Sequence, residues 1–299
     1  MRLNAQNITN EELFYGHKAC GGCGAALAVR LVMKVLGKRT FAIVPPNCMS
    51  TVAFIYPSMT FGCSGSITPF AGTAAFESGV AAGAKALGLK DYSVVGFAGD
   101  GGTADIGIQA LSGAIERGDR IIYVCYDNEA YMNTGVQTSS LTPYGAKTTT
   151  SPAGHNLPGC TTPKKNMFEI VAAHDIPYAA TASLGYPEDL LNKVAKAKET
   201  DGPSYIHIFA PCPTGWGCGS ELTIDIAKQA VDTGLWYLAE YENGEFTLNK
   251  NPKEFADVQA YLRTQGRFSH LNEEDVKTIC DIRDAKWERI RSHWNYSGK

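Results

Sequence analysis

Ser93-Val94-Val95-Gly96-Phe97-Ala98-Gly99-Asp100-Gly101-Gly102-Thr103-Ala104-Asp105 holds a strand, a turn and the opening of a helix in one stretch. The run Ser93–Ala98 is short and almost uniformly apolar, as a strand buried on both faces must be. The glycines that follow let the backbone turn sharply and approach a ligand closely. A helix is expected over Ala104–Glu116. The free N–H groups at a helix start favour phosphate. Asp100 adds a carboxylate, which repels phosphate unless a cation stands between them. Mg²⁺ suits that place, because it takes a carboxylate or two together with phosphate oxygens. The plainer reading, a strand-turn-helix junction with Asp100 near the N-cap, stays open on these residues alone.

Working outward, the same rhythm recurs. Thr40–Val44, Ile121–Tyr126, Pro177–Thr181 and Tyr205–Ala210 read as further strands. Gly24–Leu36, Gly72–Leu87, Met167–His174, Pro187–Glu199 and Leu222–Thr233 read as helices. Strands alternating with helices predict an α/β fold, a parallel sheet with helices on both faces. Ligands of such sheets bind beyond the carboxyl ends of the strands. There Ile121–Tyr126 runs into Asp127-Asn128-Glu129-Ala130-Tyr131, one step along from Asp100. Asn133–Lys165 is a long Thr/Ser/Gly/Pro-rich segment without periodicity, and such loops inside a compact domain are usually functional or disordered. Residues 1–240 read as one domain. Residues 241–299 read as a C-terminal arm, polar at first and helical in pattern over Glu254–Gly266 and Glu273–His293.

Composition bounds the function. The chain has 299 residues, a net charge of −3, 44% hydrophobic and 19% charged residues. That is a globular balance. No apolar run approaches the ~20 residues of a membrane span, and the polar start has no secretory pattern. The expectation is a cytoplasmic protein that binds neither membrane nor nucleic acid, since a nucleic-acid surface needs a basic excess. The nine cysteines are an odd number in a long chain, which favours reduced thiols or metal ligands over a disulfide scaffold.

Cys20-Gly21-Gly22-Cys23 stands just before a helix, and Cys48 follows the strand after it. C-x-x-C alone suits zinc, an iron–sulfur cluster or a redox dithiol. A fourth thiolate has two candidates behind the last strand, Cys212 and Cys218. Cys125 reads as a buried small hydrophobe. Cys63, Cys160 and Cys280 have no partner pattern, and His155, His174 and His207 follow no metal spacing.

Gly-Asp-Gly, then an Asn at the end of the next apolar strand, resembles the thiamine diphosphate signature. With Cys20–Gly24, Asn47-Cys48-Met49, Gly99–Gly107 and Tyr126–Gly135, the chain from about His17 to Trp216 resembles the β subunit of the pyruvate:ferredoxin oxidoreductase family. The resemblance implies a thiamine diphosphate-binding fold, with Gly99, Asp100, Gly101, Gly102, Asn128 and Ala130 at the cofactor. The side chains of Asp100 and Asn128 and the Ala130 carbonyl would hold Mg²⁺. Asp127 would be structural. Cys20, Cys23, Cys48 and Cys212 would hold a 4Fe–4S cluster, with Cys218 as the runner-up for the fourth position. Asn133 would reach the substrate side of the thiazolium, under the loop Asn133–Lys165.

The activity implied is coenzyme A-dependent oxidative decarboxylation of a 2-oxo acid, pyruvate first among them, with ferredoxin as electron acceptor. Oxalate, 2-oxoglutarate, branched-chain and aryl 2-oxo acids are the alternatives. Family members take the aminopyrimidine glutamate from a different domain, so Glu77 is left without a role. An α subunit, with γ and δ subunits, is the expected partner set. Outside the resemblance, a non-catalytic module stapled by metal remains the competing reading.

Overall fold

Five short parallel strands lie buried on both faces because helices cover both sides of the sheet they form. The computed structural model describes residues 2–154 and 157–293. His155 and residues 294–299 of the arm lie outside that set. In chain order the elements begin α1 (Gly24–Leu36), β1 (Thr40–Val44), α2 (Cys48–Ala53), a small hairpin β2 (Phe54–Ile55) and β3 (Ser58–Met59), and β4 (Ser64–Ile67). They continue α3 (Thr73–Ala86), β5 (Ser93–Gly99), α4 (Asp100–Ala104), α5 (Ile108–Glu116), β6 (Ile122–Asp127), the hairpin β7 (Ala153–Gly154) and β8 (Leu157–Pro158), and α6 (Met167–Ala172). Then follow β9 (Tyr178–Ser183), α7 (Pro187–Glu199), β10 (Ser204–Phe209), α8 (Pro213–Trp216), α9 (Thr223–Asp232), β11 (Ala239–Glu242), β12 (Glu245–Leu248), α10 (Val258–Arg263) and α11 (Glu273–His293).

The sheet order is β12-β11-β9-β10-β6-β5-β1-β4. All pairs from β9 to β4 are parallel. The two strands at the other edge are antiparallel. Buried residues of α1, α7 and α9 pack on one face of the sheet, and those of α3, α5 and α6 on the other. The α/β expectation therefore holds, and no described helix is long and apolar enough to cross a membrane. Every cysteine is free.

Three local readings differ. The helix expected from Ala104 starts earlier, at Asp100, and breaks: α4 ends at Ala104 and α5 starts at Ile108. Asp105 leaves helical geometry (φ −109°, ψ −88°) because its carboxylate is taken by Tyr131 and Ser140. Second, β4 was not expected. Its Ser-Gly-Ser-Ile sequence carries no apolar pattern, and it forms because β1 offers it a free edge. Third, the polar start of the arm is a hairpin in the sheet, crossing residue 240. Glu240, at the boundary residue, is buried and accepts hydrogen bonds from Tyr178 and Lys196 at 2.8 and 2.7 Å. Trp287 and Ile290 of α11 join the core of the α3/α5 face.

Candidate active site at the carboxyl edge of the sheet

β5 and β6 are neighbours in parallel register, so their carboxyl ends deliver Asp100 and Asn128 side by side. The Asn128 amide lies between Asp100 Oδ1 and the Ala130 carbonyl oxygen, at 3.1 and 3.0 Å. With its nitrogen turned inward it donates to both. With its oxygen turned inward, three oxygens face one another, which is the donor set a hard cation such as Mg²⁺ takes. The residues present therefore fit that ion.

Asp100 is buried. Burial first, and then the neighbouring Asp127, hold its carboxyl well above the usual carboxylate range. Ser139 and Lys164 pull it back. An acid so placed is costly to ionise alone, and a divalent cation removes that cost. Ser139 Oγ donates to Asp100 Oδ2. Ser139 belongs to the loop after β6, so the loop reaches the site directly. Its neighbour Ser140 and Tyr131 both bind Asp105, and Lys165 Nζ donates to the Ala104 carbonyl at 2.5 Å. Asp105 is thus the latch that holds the loop on the Gly-Asp-Gly-Gly turn. Gly101 makes that closure possible, since a Cβ there would lie 2.2 Å from the Tyr131 ring.

Asp127 sits behind this edge and is fully buried. Its Oδ2 accepts from Lys164 at 2.7 Å and stands 2.9 Å from His207 Nε2, while its Oδ1 accepts from the Glu129 N–H at 2.9 Å. Glu129 pairs with Lys164 at 2.7 Å and Arg267 at 2.5 Å. Arg267 stacks on Trp216, 3.7 Å from the ring centroid, and Trp216 Nε1 donates to the Asn128 carbonyl at 2.8 Å. The backbone of Asn128 is therefore held from below by residues remote in sequence. Desolvation holds the His207 pKa below its ordinary value, so the ring is neutral near pH 7.

Gly99, Asp100, Gly101, Gly102, Asn128, Ala130 and Asn133 line one cleft, together with Cys48. Asn133 is exposed, and its Oδ1 accepts from Thr51 Oγ1 at 3.0 Å. Cys48 is at the cleft because Asn47 and Ser50 form a reciprocal cap that starts α2 there. Cys20 and Cys23 line a separate hollow. Cys23 caps α1, accepting from Ala26 N–H at 3.5 Å, and Cys212 caps α8, accepting from Gly215 N–H at 3.4 Å. The two capping segments touch. Gly24 N–H donates to the Pro211 carbonyl at 3.1 Å, and a Cβ at Gly24 would lie 2.6 Å from that oxygen.

The thiols sense one another. Burial first, then Cys212, Cys23, Cys20 and Asp100, push Cys48 up to about 12. Cys212 is raised to about 11 by burial, and also by Cys23 and Cys20. Burial first raises Cys218 too, with Arg267 opposing, but no other thiol is among the groups that act on it. Grouped thiols without a cation stay protonated, and metal binding is what ionises them. Among the described residues no group of three or more His, Cys, Asp or Glu is set around a single ion. A 4Fe–4S cube differs in kind, because it stands between its cysteines and keeps their sulfurs apart.

Ser139, Lys164, Arg267 and Trp216 were not singled out by sequence reasoning. Ser139 lies in an aperiodic loop and Arg267 in the arm, and nothing local marks either. Glu129 carried one signal, its place inside Asp127–Tyr131. Its positive φ of 67° turns the chain so that Asn128 and Ala130 face the same side.

Residues 48–208 match the sequence family described as thiamine pyrophosphate enzyme, C-terminal TPP binding domain. The chain is 52% identical over 285 residues to pyruvate synthase subunit PorB of Methanothermobacter thermautotrophicus, covering 95% of this chain and 99% of that one. It is 49% identical over 288 residues to ketoisovalerate oxidoreductase subunit VorB of Pyrococcus horikoshii, covering 94% and 93%. Among solved structures, the 2-oxoglutarate:ferredoxin oxidoreductase from Magnetococcus marinus shares the fold, with a TM-score of 0.58 at 24% identity over 70% of each chain.

Proposed function

The chain belongs to the pyruvate:ferredoxin oxidoreductase family of thiamine diphosphate-dependent enzymes, and from that premise we propose that it carries the cofactor half of a pyruvate synthase. The reaction is pyruvate, coenzyme A and oxidised ferredoxin to acetyl-CoA, CO₂ and reduced ferredoxin. The observation that carries this reading is the meeting of Asp100 Oδ1, the Asn128 amide and the Ala130 carbonyl within 3.1 Å at the ends of neighbouring parallel strands.

Asp100, Asn128 and Ala130 hold Mg²⁺, and the turn Gly99–Gly102 receives the pyrophosphate. Cys20, Cys23, Cys48 and Cys212 hold the 4Fe–4S cluster. The mutual influence of these thiols supports that set, and Cys218, on which no other thiol acts, is the weaker candidate for the fourth ligand. Bound thiamine supplies the carbanion chemistry, and the cluster supplies a one-electron exit to ferredoxin. Asn133 lies on the substrate side of the cleft. The chain's own work is to position these groups and to neutralise charge around them.

The chain works in a hetero-oligomer with an α subunit, and with γ and δ subunits, in the cytoplasm, where nine free thiols stay reduced. A branched-chain 2-oxo acid is the second reading, supported by the 49% identity to the VorB subunit.

The test is reduction of a low-potential dye by the purified native assembly, supplied with pyruvate, 2-oxoisovalerate or 2-oxoglutarate, with and without coenzyme A. Coenzyme A-dependent reduction with pyruvate foremost is expected. Preference for 2-oxoisovalerate moves the assignment to the second reading, and no reduction with any 2-oxo acid overturns both. Iron and thiamine analysis of the anaerobically purified assembly checks the cofactor set separately. Full turnover by this chain alone would overturn the proposed division of the site among subunits.

A further inference from the structure

Behind the Asn128 edge, between the ends of β9 and β10 and the helix α11, lies a cavity of about 380 Å³. That is within the ~300–1,000 Å³ typical of small-molecule sites. Its walls are largely aromatic and aliphatic, with Trp236, Tyr237, Tyr261 and Phe268 among them. Six cationic side chains also line it, and five of these are matched, Lys165 by Asp105 at 3.8 Å. Lys164 pairs with Asp127 and Glu129. Arg267 pairs with Glu129, Arg289 with Glu169 and Arg283 with Asp284. The sixth, Lys286, makes no ion pair among the described residues; the carboxylates of Glu169 and Glu129 act on it without pairing with it. Its Nζ stands 4.4 Å from the centroid of the Tyr237 ring.

We propose that this cavity is a binding site for a small carboxylate bearing an apolar group, with the Lys286 ammonium as its counter-charge. One unmatched cation calls for one negative charge. The aromatic walls call for an apolar body, since they have few polar groups to offer it. Charge–ring attraction alone is a weak substitute for an anion. The chemistry of Lys286 agrees: burial first, and then the nearby Lys164, lower its pKa to about 7, and an anion in the cavity would restore its charge. Lys164, on the same wall, is the residue that anchors Asp127 and Glu129 on either side of Asn128. The cavity thus backs onto the charge network beneath the cofactor edge. The proposal does not depend on which 2-oxo acid the enzyme uses, and its test reads binding rather than turnover.

The experiment is isothermal titration of octanoate into the assembled enzyme, with octanol and octylammonium as the neutral and cationic controls. Wild type is compared with Lys286→Met, Lys286→Arg and Ala285→Trp, each first shown to melt cooperatively. Octanoate is expected to bind, and octylammonium not to. Loss of one charge-assisted contact in Lys286→Met should weaken octanoate about tenfold or more, with Lys286→Arg retaining most of the affinity. Ala285→Trp, which narrows the exposed rim of the cavity and leaves Lys286 in place, should also weaken it, and it decides the matter if Lys286→Met does not fold. Equal affinity in wild type, Lys286→Met and Ala285→Trp overturns the proposal. So does binding by the free chain but not by the assembly, which would make the cavity part of a subunit interface.

Discussion

Asp100 shows what burial does to a functional carboxyl. Its pKa is raised by desolvation and by Asp127, so Mg²⁺, which takes the carboxylate form, should bind more tightly and release a proton as pH rises through that raised pKa. Calorimetry in two buffers of different ionisation enthalpy would show the proton release, and its absence would exclude Asp100 as ligand. Ser139 donates to the other oxygen of Asp100 and so orients the carboxylate proposed as ligand. Removing such an outer partner typically costs ~10–100-fold in metal affinity. Ser139→Ala should therefore weaken Mg²⁺-dependent thiamine diphosphate binding by about that factor, read by fluorescence titration. Glu77 is the contrasting case. It is fully buried, and neither carboxyl oxygen meets a hydrogen-bond partner in good geometry. Desolvation raises its pKa well above the ordinary value, with the Gly96 N–H opposing. The folded chain then binds more protons than the unfolded one above the ordinary carboxylate range. Stability from this group is full below that range and is lost as pH rises. Glu77→Gln should raise the melting temperature at pH 8, with the gain vanishing toward pH 4. An equal gain at both pH values would contradict the assignment.

At the scale of elements, short helices set the thiols. α1, α2 and α8 each start at or next to a proposed cluster cysteine, and a helix start is fixed by local capping. The contact between the first and last of these starts depends on a missing side chain. A methyl group at Gly24 would meet the Pro211 carbonyl at 2.6 Å, and overpacking of this kind costs ~1–3 kcal/mol. Gly24→Ala should lower stability by about that amount and lower the iron bound per chain. Gly79, exposed in the middle of α3 with nothing near its missing Cβ, is the control. Gly79→Ala should stabilise by about 0.5–1 kcal/mol with iron unchanged. Thermal melts and iron assays on the two proteins separate a cluster effect from a helix effect. The elements also mark where sequence reading runs out. α1, α7 and β1 begin and end where apolar periodicity and the caps put them. The break between α4 and α5 is invisible locally, because Tyr131 and Ser140 draw Asp105 out of the helix. β4 and the β11–β12 hairpin are likewise created by neighbours, which supply edges that weakly patterned segments can pair with.

At the scale of the molecule, one buried charge network ties three distant segments together. Asp127 and Glu129 end a central strand, Lys164 closes the long loop, and Arg267 comes from the arm. Removing one partner from such a set leaves an uncompensated buried charge, at ~3–5 kcal/mol. Lys164→Met should lower the unfolding free energy by about that much in a denaturant titration. Arg267→Met combined with Glu129→Gln should cost less than the sum of the two single changes, because the second no longer strands a partner. Additive costs would mean the pair is not coupled. The arm is therefore part of the scaffold under the site: Arg267 reaches Asn128 through Trp216.

The sequence by itself determined the α/β class, the strand-turn entry at Asp100, the placing of Asn128 one strand further on, and the family to which those residues belong. The first three rest on periodicity, turn chemistry and spacing, which are local; the family rests on the resemblance of the motifs. Only the tertiary structure decided which groups serve those residues. Ser139 on Asp100, Asp105 as the loop's latch, and Arg267 with Trp216 beneath Asn128 join positions far apart in the chain. The unmatched Lys286 facing an apolar cavity is of the same kind. Such partners are chosen by sheet order and by what burial leaves unpaired, since a buried polar group must find a partner wherever the fold brings one.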